Sequence, residues 1–192
     1  MSLFLPPAPD GTAEVIAHGL RRARAAGHLS LPGPAEAAVV VTPVAPHRVY
    51  TMGRDALLEK HGLAAARPAG WRAMVLQGGE PVAAVEFKGV AGEAHNFTSV
   101  NQGSFVEATA VAIAAAELLP EVKAKHYELR LLSIPAIHLV VLWLHADDAP
   151  LFLPLSPAPG HFKAHTAYPE AHFFELASAL AARQAKFDDR PE

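Results

Sequence analysis

Apolar and polar side chains alternate most clearly between residues 71 and 88. Two segments rich in strand-forming residues, 71–77 and 81–88, flank the pair Gly78-Gly79. Two consecutive glycines tolerate the positive φ angles that a tight primed turn requires. The pattern therefore predicts a β-hairpin with one buried face.

Apolar positions in residues 11–26 have the spacing of a helix. Ile16 and Leu20 lie four residues apart, which places them on one face. Asp10 is expected to cap the free N–H groups at the start of this helix, and Gly27 is expected to end it. The segment is predicted to form an N-terminal helix.

The strongest helix signal covers residues 105–119. Ser104 and Glu107 have the spacing of a capping box, in which the serine accepts from the third helical N–H and the glutamate reaches back to the cap. The residues that follow are almost all small and apolar, so we predict a central helix that is buried on most sides. Pro120 marks the end of this helix.

The rest of the chain contains further apolar segments that predict strands, over residues 35–44, 47–52, 127–134, 137–145 and 151–155. A short helix is predicted over residues 55–60, and a last helix is predicted to begin near Pro169. The polar residues 89–103 are predicted to form a long loop that leads into the central helix.

The order of these elements favours the α+β class. The short hairpin turns favour a mostly antiparallel sheet of about five to six strands, packed against the buried Ala-rich helix, with flanking N- and C-terminal helices. A doubly wound parallel fold is disfavoured because strands and helices do not alternate regularly. We expect a single domain over residues 1–192, with residues 1–10 and 187–192 frayed.

Composition and charge exclude several classes of function. The chain is 51% hydrophobic and 18% charged, and its net charge is −3, which suggests neither a nucleic-acid partner nor an anionic membrane surface. It contains no cysteine, so disulfides, thiolate zinc sites, iron–sulfur clusters and a cysteine nucleophile are excluded. No apolar run is long enough to span a bilayer. We expect a cytoplasmic protein without a cofactor.

The chain contains 11 histidines, and these are the first candidates for metal ligands. His161 and His165 are separated by three residues, a spacing that lets two imidazoles bind one metal if the segment is helical. Other ligands would have to come from His145, Asp147, Asp148 and His172. Because the pair lies in a proline-flanked segment and Asp147-Asp148 is explained by turn formation, we predict no metal site and no catalytic pair of carboxylates.

The segment 89–103 is the first candidate for a binding site. It contains His95, Asn96, Asn101 and Gln102, and it leads into a helix N-terminus. Long polar loops at such positions often carry binding function, although an ordinary exposed connection has the same composition.

Gln102 precedes a predicted helix that starts at Ser104, and a later predicted strand contains His138. This layout resembles that of papain-type peptidases. The resemblance implies that Gln102 contributes to an oxyanion hole at a helix N-terminus and that His138 acts as the base. In that family the nucleophilic cysteine follows six residues after the glutamine, and that position is Ala108 here. Ser104 is the nearby hydroxyl, so the resemblance implies a serine variant or a relative that has lost catalysis.

Two hypotheses of function follow. The first is a non-catalytic binding or protein-interaction module for a protein or small-molecule ligand, with homodimerisation through a sheet edge or the segment LFLPLSP at residues 151–157. The second is a hydrolase-like enzyme, or a degenerate pseudoenzyme, with its site at the N-terminus of the 104–119 helix. We favour the first because every candidate catalytic residue also has a structural explanation.

Overall fold

The computed structural model describes residues 3–30, 42–90 and 93–188. Within these ranges the chain forms nine β-strands and five α-helices, and the strands belong to one mixed sheet. The predicted α+β class is confirmed. The predicted size of five to six strands is wrong, because short strands and one polar strand join the sheet.

The strands are β1 Leu3–Phe4, β2 Thr42–Thr51, β3 Arg67–Gln77, β4 Glu80–Val90, β5 Glu93–Asn101, β6 Tyr127–Ile134, β7 Leu139–His145, β8 Leu151–Pro154 and β9 Tyr168–Pro169. The α-helices are α1 Thr12–Ala25, α2 Arg54–Leu58, α3 Ser104–Leu118, α4 Pro120–Ala124 and α5 Glu170–Asp188. Two short 3₁₀ helices are present at Gly62–Ala65 and Pro135–Ile137.

Contacts along the chain divide it into two compact units. Unit 1 comprises Met1–Phe4, Val49–Ala69 and Val111–Glu192, and unit 2 comprises Leu5–Arg48 and Gly70–Ala110, each taken over its described residues. The single domain that we expect from the sequence stays a prediction.

Unit 2 contains the hairpin that the sequence predicts. β3 and β4 pair in antiparallel fashion, and the turn residues Gly78 and Gly79 have φ angles of 62° and 89°. Such angles are those of a primed turn, which suits glycine. The hairpin is therefore confirmed.

Residues 93–101 form strand β5, so the predicted long loop over residues 89–103 is wrong. β5 pairs in antiparallel fashion with β4, and the register shifts twice, with Thr98 as an extra residue at one of the shifts. A bulge of this kind breaks the period-two alternation by which strands are recognised. Phe97 and Val100 consequently face the same cluster although they lie three residues apart.

Helix α1 covers one face of the β3–β4–β5 sheet. The buried apolar side chains between them are Ile16, Leu20, Ala23, Leu29, Ala73, Val75, Ala83, Val85 and Phe87. The helix begins after Gly11, which has a left-handed conformation with φ 76°, and this start differs from the predicted cap at Asp10. Its end is as predicted: Gly27 has φ 73°, and the N–H of His28 donates to the carbonyl of Ala23 at 2.8 Å.

A smaller apolar cluster lies on the opposite face of these strands. Met74 of β3, Ala84 of β4 and Val106 of α3 are buried together there. α3 begins at Ser104, close to the predicted start. Its predicted burial on most sides is only partly correct, because Val111 is 51% exposed and Leu118 is 71% exposed.

Unit 1 contains the antiparallel strand order β6–β7–β8–β9, with β1 parallel to β6. Strand β6 has the predicted bounds, whereas β7 begins at Leu139 because Pro135–Ile137 forms a 3₁₀ helix. Leu3 of β1 is buried and pairs with Tyr127 of β6. The fraying of residues 1–10 and 187–192 stays a prediction.

The core of unit 1 lies between the β6–β7–β8 strands and helices α2 and α5. It is formed by a large set of buried side chains that includes Leu57, Leu132, Trp143, Phe152 and Phe173. Within the segment 151–157, which we considered for homodimerisation, residues 151–155 are buried in the monomer and residues 156–157 are exposed. Homodimerisation stays a prediction.

We predict that Gly19→Ala destabilises the protein. Gly19 of α1 contacts the ring of Phe97 on β5, and a β-carbon at position 19 would overlap this ring. Overpacking of this kind costs about 1–3 kcal/mol, which exceeds the roughly 1 kcal/mol that alanine gains over glycine within a helix. Urea denaturation measures the difference in the free energy of unfolding.

The matched control is the same substitution in a Phe97→Ala background. Without the ring, only the helix propensity remains, so Gly19→Ala should be neutral or stabilising there. An increase in stability from Gly19→Ala in the wild-type background would contradict the close packing of α1 on β5.

Candidate functional site

A row of polar side chains crosses the three strands of unit 2 on the face opposite to α1. Arg72 of β3 is directly opposite Glu86 of β4, and Glu86 is directly opposite Ser99 of β5. Residues that are opposite each other in an antiparallel pair lie on the same face of the sheet. Met74 and Ala84 continue this face toward Val106.

Arg72 is the most constrained member of this row. Its side chain is 4% exposed, and its Nη1 lies 3.9 Å from Oε1 of Glu86, whose side chain is 34% exposed. Among the described residues, neither Nε nor Nη2 of Arg72 has a hydrogen-bond partner. A buried guanidinium with unpaired donors is costly, since the protein must replace the water that the charge has lost.

The pKa of Arg72 reflects this imbalance. Burial lowers the pKa, and the negative charge of Glu86 only partly opposes the shift. Glu86 divides its own interactions, because its Oε2 accepts a hydrogen bond of 3.3 Å from the hydroxyl of Ser99. The charge of Arg72 is therefore incompletely compensated.

His47 of β2 is a second buried polar group of unit 2. Its Nδ1 lies 2.7 Å from the carbonyl oxygen of Ala45, so Nδ1 carries the proton and Nε2 presents a lone pair. Within the described parts of the chain, Nε2 is buried and has no hydrogen-bond partner.

The pKa of His47 is lowered to about 4. Its main cause is burial, and the positive charge of Arg72 lowers it further, whereas the hydrogen bond to Ala45 opposes the shift. His47 is therefore neutral at pH 7. We call His47, Arg72, Glu86 and Ser99 the buried Arg–His site.

This site offers complementary hydrogen-bonding groups. Nε and Nη2 lie on one edge of the planar guanidinium and form a fork of two parallel donors, whereas Nε2 of His47 is an acceptor. The fork of Arg72 matches a pair of acceptor oxygens, and Nε2 of His47 matches a donor.

Arg72 and His47 are not among the site residues that we predict from the sequence. One signal was available, because an arginine within an otherwise apolar strand needs a partner, and the predicted hairpin turn places Glu86 opposite it. The burial of His47 had no comparable signal, since it depends on neighbouring strands.

Gln102, which we predicted as an oxyanion donor or binding residue, bonds to the backbone of unit 2. Its Oε1 accepts from the N–H of Ser30 at 2.9 Å, and its Nε2 donates to the carbonyls of Ser30 at 2.8 Å and Val82 at 3.3 Å. Both ends of the amide are thus engaged in tethering Ser30.

The other predicted residues of the 89–103 segment are on β5. Asn96 is exposed, Asn101 is half-buried, and the side chain of His95 lies outside those that the structure describes. Their role in binding stays a prediction.

Ser104 and His138 are each exposed in their own unit. Ser104 is the first residue of α3, and His138 follows the 3₁₀ helix Pro135–Ile137 in a left-handed conformation with φ 51°. The catalytic pairing of these residues stays a prediction.

The histidines of the 145–172 region have separate environments. His161 is exposed, and His165 is half-buried with its backbone N–H bonded to the carbonyl of Pro154 at 2.8 Å. His145 lies 3.8 Å from Asp147, and Asp148 forms an ion pair with Lys125. Over the residues that the structure describes, no group of three or more histidine, aspartate or glutamate side chains could hold a metal ion.

Arg130 in unit 1 shows how a well-satisfied arginine differs from Arg72. Its Nε and Nη2 both bond to the carboxylate of Glu128, at 3.0 and 2.8 Å. Its guanidinium also lies over the rings of Tyr50 and Trp143, at 5.3 and 4.8 Å from the ring centroids. The same fork that is paired in Arg130 has no hydrogen-bond partner in Arg72 among the residues that the structure describes.

Unit 1 also contains an open groove of about 730 Å³ beside α5. Its lining includes Lys60, Glu170, Phe174 and Glu175, and the hydroxyl of its Ser178 donates to the carbonyl of Leu57 at 2.9 Å. The volume suits a small ligand, but the charged side chains of Lys60 and Glu175 are exposed to solvent, where ion pairing is weak.

Comparisons of the chain with protein families, with curated proteins and with solved structures give no match. None of the described helices has the length and apolar character needed to cross a membrane.

We predict that His47 makes stability depend on pH. Because the pKa of His47 in the folded protein, about 4, is below the 6.5 of a free histidine, protonation favours the unfolded chain. The contribution of neutral His47 to the free energy of unfolding is complete above pH 6.5 and is lost as the pH falls toward 4. Linkage gives a loss of about 2 kcal/mol between pH 7 and pH 5.

Urea denaturation of the wild type and of His47→Asn over this pH range measures that loss. Asparagine can still donate to the carbonyl of Ala45 but does not titrate, so the variant should lack this part of the pH dependence. Parallel stability curves for the two proteins would contradict the neutral state of His47.

Proposed function

We propose that the chain is a non-catalytic binding module and that its ligand is a small anion held by the buried Arg–His site. The observation that carries this proposal is the buried fork of Arg72, whose Nε and Nη2 are unpaired among the described residues. An anionic ligand would supply the missing acceptors and balance the charge.

Binding without turnover fits the chemistry of this site. The hydroxyl of Ser99 donates to Glu86, a half-exposed carboxylate, and the imidazole of His47 is held as a hydrogen-bond donor to Ala45. His47 is a weak base at pH 7 because its pKa is about 4. These groups favour the recognition of a ligand over the activation of a nucleophile.

A hydrolase-like enzyme at Ser104 and His138 has less support. The amide of Gln102, the donor that an oxyanion hole would require, bonds to the backbone of Ser30 and Val82. We also propose a cytoplasmic location, which rests on the absence of cysteine from the sequence.

The first test is the binding of acetate, sulfate and inorganic phosphate, measured as a rise in the melting temperature. We expect at least one of these anions to stabilise the wild type progressively with concentration, by about 2.7 kcal/mol at a hundred times Kd. Arg72→Met, which keeps an unbranched apolar chain without the donors, should show no stabilisation.

Arg48→Met is the matched control. Arg48 is exposed on β2 and lies over the ring of Trp71, so this variant loses the same charge outside the proposed site. It should respond to the anions as the wild type does. An equal response from Arg72→Met, or no response from the wild type, would refute the proposal.

The same substitution also gives a prediction about stability without ligand. In a buffer free of carboxylate, sulfate and phosphate, Arg72→Met should be as stable as the wild type or more stable by about 1–3 kcal/mol. Replacing an incompletely paired buried charge by an apolar side chain removes its desolvation cost, and Glu86 remains partly hydrated.

Urea denaturation at pH 7 measures this difference. A loss of several kcal/mol in Arg72→Met would show that the folded protein already pairs the charge of Arg72, so no ligand would be needed to compensate it.

A further inference from the structure

We infer that the groove beside α5 in unit 1 binds a free α-amino acid with a large apolar side chain. The ammonium group of this ligand would pair with Glu170, its carboxylate would pair with Lys60, and its side chain would pack on Phe174. None of the residues that line the groove belongs to the buried Arg–His site, so this inference goes beyond the proposed function and is independent of it.

The groove is large enough for such a ligand. Its volume is about 730 Å³, and small-molecule sites usually have volumes of roughly 300–1,000 Å³. Lys60 and Gly62, which follow α2, line one wall, and residues of the first turns of α5 line the other. Both walls belong to unit 1, so the fold of that unit by itself provides the space.

One carbonyl group holds the two walls together. The carbonyl oxygen of Leu57, at the end of α2, accepts from the hydroxyl of Ser178 on α5 at 2.9 Å and from the N–H of Lys60 at 3.2 Å. The N–H of His61 donates to the carbonyl of Ala56 at 3.0 Å, which completes a Schellman motif at the end of α2. Walls that are fixed before binding reduce the entropy that a ligand must lose.

The groove carries charges of both signs. Lys60 lies on one wall, and Glu170 and Glu175 lie on the other. Among the described residues, none of these three side chains takes part in an ion pair. Lys60 would repel a simple cation and the glutamates would repel a simple anion, whereas a zwitterion offers a partner to both signs. Glu170 is the better partner for an ammonium group, because it is half-buried and therefore less screened than the exposed Glu175.

Gly62 brings the opposite charges of the groove near each other. A β-carbon built at position 62 would lie 3.8 Å from Oε1 of Glu170, so this oxygen lies beside the backbone of Gly62. Lys60 comes two residues earlier, and two Cα–Cα steps span at most about 7.6 Å. A short separation suits an α-amino acid, whose ammonium and carboxylate groups are attached to one carbon, better than a peptide with distant ends.

Phe174 supplies an apolar surface in the groove. Its half-buried ring contacts the rings of Phe152 and Phe173 edge-on, with centroid distances of 5.9 and 5.1 Å, and these contacts fix its position. Ala171 lines the groove beside it and is too small to cover the ring. A large apolar side chain of the ligand can bury its surface here.

NMR titration of the full chain at pH 7 with four probes tests this inference. The probes are L-phenylalanine, phenethylamine without the carboxylate, 3-phenylpropionate without the ammonium group, and L-alanine without the ring. We expect L-phenylalanine to bind about threefold to fivefold more tightly than either singly charged probe, because each of these loses one solvent-screened ion pair. L-Alanine should bind at least about tenfold more weakly. The shifted amide signals should include Gly62 and Phe174.

Two variants assign the ionic contacts. Glu170→Gln should remove the preference for L-phenylalanine over 3-phenylpropionate, and Lys60→Gln should remove the preference over phenethylamine. Glu117→Gln and Lys123→Gln are the matched controls, because both residues are exposed in unit 1 and neither lines the groove. The controls should bind all probes as the wild type does. The comparison of the four probes on the wild type requires no variant, so it stands even if a variant does not fold.

The outcomes that overturn the inference are specific. Equal or tighter binding of phenethylamine would assign the groove to organic cations, and equal or tighter binding of 3-phenylpropionate would assign it to carboxylates. Equal binding of L-alanine, amide shifts outside the groove, or no binding of any probe would also overturn it. Arg72→Met should bind L-phenylalanine as the wild type does, so the failure of this inference and the failure of the proposed function are distinguishable.

Discussion

The register of the β3–β4 hairpin decides which side chains of unit 2 share a face. Gly78 and Gly79 adopt positive φ angles in the turn, and the pairing that follows places Arg72 opposite Glu86 and Trp71 opposite Phe87. A slip of one residue would exchange the two faces and turn the guanidinium toward the apolar cluster under α1. The core of unit 2 and the buried Arg–His site both depend on this turn.

The same register places the polar side chains on one face of the β3–β4–β5 strands and an apolar cluster on the other. The face toward α1 carries a cluster of apolar side chains, which contributes packing. On the other face, Glu86 serves both Arg72 and Ser99, and the two donors on the far edge of Arg72 have no partner among the described residues. An apolar side chain at position 72 would be less costly, which is why we propose that a ligand completes this arrangement.

Local chemistry predicted several elements well. The glycine pair marks the hairpin, Gly27 ends α1 in the left-handed region, and β6 has the bounds that its apolar pattern indicates. Strand β5 was missed because its extra residue Thr98 disrupts the alternation. Sequence patterns also could not show that the amide of Gln102 bonds to the backbone of Ser30, because Ser30 lies 72 residues away in the chain.

The sequence by itself determined the elements whose conformation depends on neighbouring residues, and its lack of cysteine excluded thiolate chemistry. The α+β class followed from the order of these elements. Only the tertiary structure decided that Arg72 and His47 are buried, and that Nε and Nη2 of Arg72 and Nε2 of His47 have no hydrogen-bond partner among the described residues. The reason is that burial and hydrogen bonding are set by strands that are distant along the chain. A side chain carries its charge and its donors in any sequence, but whether water or protein satisfies them depends on the fold.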